Sequence, residues 1–283
     1  MSCGPGNRIG SAESYARWAA DREAEGWHGL AVGDHVLSDR LLPHPFVLLG
    51  AMASATSRVE LMTATANNLV RSPVETAQAA LTLHELSGGR FALGLGAGWQ
   101  RDELEASGIA YPSPRERAER YVAAIQIVRD LFSTGRAVGD GRHYKVDINL
   151  AHPPRRAPQL IGAVAGPWVT RHVAPLVDRV EVLPFPQTSN TGALRPAEIA
   201  NLDLDAIRRT IDEVKQHAPS TPVSLILFIA VGTTDEIEPL RSSFASPFAS
   251  GLCGSAKAVA TNLLDLADLG ARRSHGAPTH DRP

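Results

Sequence analysis

Two kinds of apolar spacing alternate along the chain. In one, apolar residues recur three and four apart and predict helices. Tyr15, Trp18 and Ala19 precede a stop near Gly26, a second segment covers 46–55, and Val74, Ala77, Ala80 and Leu81 follow Pro73. The longest helix is expected over 113–132, with Val122, Ile125, Ile127, Val128, Leu131 and Phe132 as its apolar positions, and others over 168–177, 204–217 and 256–269. The second kind is short and largely apolar, over 27–33, 59–66, 90–95, 159–164 and 223–231, and a further strand is expected over 178–184. Runs without polar alternation are strands covered on both faces. Residues 133–158, rich in proline toward their end, read as a loop or small hairpin of the sort that lies over a site. Covered strands alternating with helices make a parallel α/β fold, which binds ligands at the carboxyl ends of its strands.

Three strand ends stand out. The stretch 84–99, HELSGGRFALGLGAGW, closes a helix on Gly88-Gly89, runs through the strand, and leaves it over Gly96-Ala97-Gly98 with almost no side chain. A ligand can come close to such backbone and its N–H groups can hold a phosphate, although a tight turn that merely requires glycine has the same appearance. The strand at 159–164 leaves through Gly162-Ala163-Val164-Ala165-Gly166-Pro167. The first covered strand delivers Asp34-His35, an imidazole beside a carboxylate, suited to relaying a proton. The same dipeptide also fits a capping aspartate and a packed loop histidine.

Composition narrows the partners. The 283 residues are 43% hydrophobic and 20% charged, as in a globular protein, and 28 basic residues against 30 acidic ones leave a net charge of −2. Without a basic stripe, nucleic acid is not an expected partner. No apolar run approaches a membrane span, and MSCGPGNRIG lacks the apolar core of a signal peptide, so a cytoplasmic protein is expected. Cys3 and Cys253 lack CxxC spacing; neither a disulfide framework nor a metal site is expected.

LSGGRFALGLGAGW, with GDHV upstream and APQLIGAVAG downstream, resembles the luciferase-like family of flavin- and deazaflavin-dependent oxidoreductases, over residues 11–273. The resemblance implies a (β/α)8 TIM barrel in a single domain, 1–270. It implies hydride transfer between coenzyme F420 and a small organic substrate. The alternatives are an FMN-dependent monooxygenase with a separate reductase, and a barrel that has lost its cofactor. By position, His35 would stabilise charge on the ring or relay a proton, and Asp34 would orient it. Cofactor contacts would come from Thr63, Ala64, Thr65, Asn68, Gly96, Ala97, Gly98, Gly162, Ala163, Val164, Ala165 and Gly166. A non-proline cis peptide is implied at Ala64–Thr65. Trp99 and Glu103 would meet the substrate. Trp99 stands where the family's sugar-phosphate dehydrogenases carry an acid, which favours an apolar or heterocyclic substrate.

Other positions have plainer expectations. Glu103 is otherwise a solvated carboxylate at a helix start, His84 a surface or capping residue, and Arg115, Arg117, Arg120 and Arg129 the wet side of a helix. Only Arg8-Ile9-Gly10 remains of the family's first strand, and residues 271–283, polar and ending in proline, read as a disordered tail. The first and eighth strands are therefore expected to be degenerate or missing. The seam between them would be distorted, or covered in a homodimer.

Overall fold

The computed structural model describes residues 12–193, 195–267 and 271–274. Helix α1 (Ala12–Ala24) leads to strand β1 (Gly29–Val32), then α2 (Pro45–Ala55), β2 (Glu60–Thr63), β3 (Ala66–Asn67), α3 (Pro73–Leu86) and β4 (Phe91–Gly96). Helices α4 (Arg101–Ala106) and α5 (Pro114–Thr134) and a hairpin of β5 (Arg136–Val138) with β6 (Asp147–Asn149) precede β7 (Gln159–Val164), α6 (Pro167–Val173) and β8 (Arg179–Val182). The chain then forms α7 (Pro186–Thr191), α8 (Pro196–Ala200), α9 (Leu204–His217), β9 (Val223–Leu225) and β10 (Ala230–Val231). It closes with α10 (Thr234–Arg241), α11 (Pro247–Gly251), β11 (Cys253–Gly254), α12 (Ala256–Ala267) and β12 (Ala271–Ser274). No helix among the described residues is long and apolar enough to cross a membrane.

Helix starts follow local chemistry. Pro73 and Pro114 occupy the first helical position, where a missing N–H costs nothing. Ahead of them the Ser72 and Ser113 hydroxyls accept the amides of Glu75 and Glu116. Pro175, inside the helix expected over 168–177, ends α6 early and leaves a 3₁₀ turn over Ala174–Leu176.

The main sheet runs in the order β1, β2, β4, β7, β8, β9, β12, with each neighbouring pair parallel and β3 alongside β4. This sequential order is that of a (β/α)8 barrel. The strand expected before residue 11 lies outside the described residues. The eighth strand is present but short: ARRS at Ala271–Ser274 pairs with β9 through a shifted register. The tail expected from residue 271 therefore starts with a strand; residues 275–283 lie outside the described ones. The run over 223–231 is not one strand. Only Val223–Leu225 stays in the barrel, after which the chain leaves the sheet and pairs as β10 with β11. Phe228 in the gap is exposed.

Alternation along the strands sorts side chains into two cores. Leu30, Val32, Leu61, Leu93, Leu95, Leu160, Val164, Val180 and Val182 face the helices and pack with Leu49, Met52, Tyr121, Ile125 and Val128. Ala31, Met62, Ala92 and Ile161 form a small plug inside the barrel. Met62 fits there because its neighbours are small: a Cβ on Gly29 would lie 3.4 Å from its terminal methyl. Ala163, two residues beyond Ile161, shares the inner face, while Gly162 and Val164 turn toward the helices.

Candidate active site

The carboxyl ends of β2 and β4 are locked by one threonine. Thr63 Oγ1 donates to the Gly94 carbonyl at 2.7 Å and accepts the Gly94 amide at 3.0 Å. A Cβ on Gly94 would sit 2.1 Å from the Thr63 carbonyl oxygen, so only glycine permits this approach. Thr63, expected at the cofactor, is buried and committed to that contact. The next peptide, Ala64–Thr65, is cis. Ala64 packs on the inner plug, and Thr65 faces the cleft beyond it.

Asp34 and His35 leave β1 in different company. Asp34 is buried, its carboxylate held by both terminal nitrogens of Arg71 and by the Asn67 amide at 2.8 Å. Arg71 Nε in turn donates to His44 Nε2 at 3.2 Å, and burial, with Arg71 close by, lowers the His44 pKa. Asp34 is thus a clamp between the end of β1 and the segment after the cis bond. Contrary to the expectation from the sequence, it does not orient His35. That partner is Glu103, whose Oε2 lies 2.7 Å from His35 Nδ1. Glu103 is neither solvated nor at the mouth: its side chain is fully buried, and its other oxygen accepts the amides of Val36 and, at 3.4 Å, Leu37. The first turn of α4 aims the carboxylate back at the β1–α2 loop, a tertiary contact invisible in DELEA. The Trp99 ring meets the His35 ring edge-on, with centroids 5.8 Å apart and planes at 84°.

A cavity of about 360 Å³ opens over the ends of β4 and β7. Of the residues expected to touch a cofactor or substrate, Thr65, Gly96, Ala97, Gly98, Trp99, Ala163, Ala165 and Gly166 line it. Gly162 does not: a Cβ there would meet Val173 at 2.5 Å, in the helix layer. Val164 belongs to that layer too. Asn68, another expected contact, is buried and accepts the Tyr144 hydroxyl at 3.2 Å, which ties the β5–β6 hairpin to the end of β3. His35 is outside the lining and adjoins it through Trp99. A shallower hollow of about 600 Å³ beside α7 and α8 contains none of the strand-end residues.

The rest of the wall includes Arg115, Arg117, Trp168, Ser189 and Asn190. Arg117, expected on the wet face of α5, is 3% exposed. It donates from Nη2 to the Ser189 carbonyl at 2.7 Å and stacks on Tyr111, 4.3 Å from the ring centre. Its Nε and Nη1 are buried without a hydrogen-bond partner, and burial pushes its pKa below the usual arginine range. One signal was present in the sequence: Arg117 is four residues before Tyr121 and seven before Ala124, on the stripe that packs inward. His84, expected at the surface, is buried too; its Nδ1 donates to the Phe91 carbonyl at 3.0 Å and joins α3 to β4.

The model of the luciferase-like monooxygenase family matches residues 3–236. Over 173 residues the chain is 32% identical to an F420-dependent glucose-6-phosphate dehydrogenase from Kineococcus radiotolerans, a match covering 57% of this chain and 51% of that protein. Over 105 residues it is 36% identical to the pyrimidine monooxygenase RutA of Pantoea ananatis, covering 36% of this chain and 28% of RutA. The matched stretches therefore span about half the length of these curated relatives, or less. An F420-dependent secondary alcohol dehydrogenase, solved with an F420–acetone adduct, superposes with a TM-score of 0.70 over 95% of this chain and 91% of its own. At 18% identity that likeness shows the fold alone.

Proposed function

Because this chain belongs to the luciferase-like monooxygenase family, we propose that it is an oxidoreductase transferring a hydride between bound coenzyme F420, a deazaflavin, and a small organic substrate. The observation that carries the proposal is the cavity itself. Its walls are the glycine- and alanine-lined exits of two neighbouring strands, at the barrel end where such folds bind ligands, and its volume falls in the range of small-molecule sites.

The residues present fit a phosphate-bearing ring cofactor. Arg115 and Arg117 line the cavity and bring to it the positive charge that an anionic group of the cofactor would need. Gly96, Ala97 and Gly98, with Ala163 and Ala165, keep the floor free of bulk, and Thr65 lies beside them. Bound there, the cofactor would supply the hydride chemistry. The protein's part is to orient and to shield. Trp99 and Trp168 wall the cleft against water, and Arg117 holds the anionic end. His35, beside Trp99, takes or returns a proton at Nε2, the ring nitrogen not engaged by Glu103. Trp99 in place of an acid favours an apolar or heterocyclic substrate over a sugar phosphate.

FMN is the second reading, supported by the likeness to RutA, and it would require a separate reductase. A homodimer belongs to the proposal as well. The test is fluorescence titration of the purified protein with F420 and, separately, FMN. F420 binding at least tenfold tighter than FMN is the expected result. A preference for FMN overturns hydride transfer from F420 in favour of a monooxygenase, and binding of neither leaves a cofactor-free barrel.

A further inference from the structure

We infer that Glu103 is a positioning residue that fixes the tautomer of His35, keeping the proton on Nδ1 and leaving Nε2 as the atom that exchanges protons at the site. The inference rests on the role of His35 in the function proposed above.

The geometry leaves little choice of tautomer. An ionised carboxylate only accepts hydrogen bonds, so an Nδ1 found 2.7 Å from Glu103 Oε2 must be the donor. With the proton on Nε2 instead, two lone pairs would face each other in a place where the Glu103 side chain has no exposure to water. Among the described residues, the only ion-pair partner of Glu103 is His35, and its remaining support is the pair of amides at Val36 and Leu37. The second carboxylate near His35 is already committed. Both oxygens of Asp34 are engaged, by Arg71 and by the Asn67 amide. The edge-on contact with Trp99 restrains rotation of the imidazole about its own axis. Two buried carboxylates thus divide the work: Asp34 holds the strand end and Glu103 holds the proton position.

Glu103→Gln inverts the arrangement for a geometric reason. The Val36 N–H is backbone and cannot become an acceptor, so the amide oxygen must stay on that side. The new NH2 then faces His35 and donates to Nδ1, which moves the imidazole proton to Nε2.

The experiment is ¹⁵N NMR of imidazole-labelled, full-length protein without cofactor, for wild type, Glu103→Gln and Glu103→Asp, followed by steady-state kinetics with F420. The expected spectra show neutral His35 protonated at Nδ1 in wild type and in Glu103→Asp, and at Nε2 in Glu103→Gln. Expected kinetics are a fall in kcat of about 100-fold or more in Glu103→Gln with little change in KM, and substantial recovery in Glu103→Asp. Wild-type His35 protonated at Nε2 overturns the inference whether or not Glu103→Gln folds. So does full turnover by Glu103→Gln once its tautomer is inverted. If the spectra behave as expected and neither F420 nor FMN binds, the assigned function fails while tautomer control by Glu103 stands.

Discussion

Replacing Arg117 with methionine separates a ligand-binding arginine from a structural one, because the two roles predict opposite patterns. In the free protein the substitution removes one charged hydrogen bond to the Ser189 carbonyl and one stacking contact with Tyr111. These contribute about 1.5–3 kcal/mol and about 0.5–2 kcal/mol. The same change relieves the burial of a guanidinium with two unpartnered nitrogens, a penalty of several kcal/mol for a buried ion. Methionine fills much of the stem's volume and is adaptable in shape. The terms nearly cancel, so the free protein should change stability by less than about 2 kcal/mol, a Tm shift of roughly 5 °C or less for a chain of this size. Ligand binding has no such compensation. Loss of the guanidinium's charge-assisted contact with a phosphate, about 1.5–3 kcal/mol, weakens the complex by roughly 10- to 100-fold. The assay pairs thermal unfolding of the free protein with fluorescence titration of F420 at fixed salt. A Tm lowered by more than about 10 °C together with an unchanged Kd would refute the reasoning and make Arg117 a structural residue.

Gly94→Ala places a Cβ 2.1 Å from the Thr63 carbonyl, well inside the roughly 3.4 Å at which ordinary contact begins, and β2 and β4 must separate. The Thr63–Gly94 lock breaks with them, and a loss of about 3 kcal/mol or more is expected in chemical denaturation; an unchanged midpoint would show that the strands yield freely. Glu23 tests acid stability. Burial opposes its ionisation, but the amides of Val59, Arg58 and Ser57 together outweigh this and lower its pKa from 4.5 to about 2. A depressed carboxylate stabilises the fold above its unfolded pKa and ceases to do so as pH falls through the folded one. Wild type should therefore exceed Glu23→Gln in Tm at pH 6, and the gap should close between about pH 4.5 and 2; a gap that persists at pH 2 contradicts the assignment.

Much of the barrel was legible because it is written in local patterns. Largely apolar runs became β1, β2, β4 and β7, and proline or serine marked the starts of α3 and α5 within a residue. The cis bond at Ala64–Thr65 came from the family resemblance, and the exit Gly96-Ala97-Gly98, readable from the residues themselves, lines the cleft beside Thr65. Errors arose where a residue's partner lies far along the chain. The run over 223–231 is apolar throughout, but how much of it stays in the sheet depends on β11, more than twenty residues on. Gly162 and Val164 share one exit with Ala163 and Ala165, and strand alternation sends the first pair to the helices and the second to the cleft.

The sequence by itself determined the alternation of covered strands and helices that makes a parallel α/β fold, since that follows from periodicity and backbone preference within a dozen residues, and its resemblance to a family supplied the barrel and the strand ends that form the site. Only the tertiary structure decided how the charges are shared out. Asp34 is adjacent to His35 in the chain, yet it pairs with Arg71, and the imidazole is held by Glu103, 68 residues away. A buried carboxylate must find donors wherever the fold delivers them, and a charged residue that reads as wet in isolation becomes part of a site once packing removes its water.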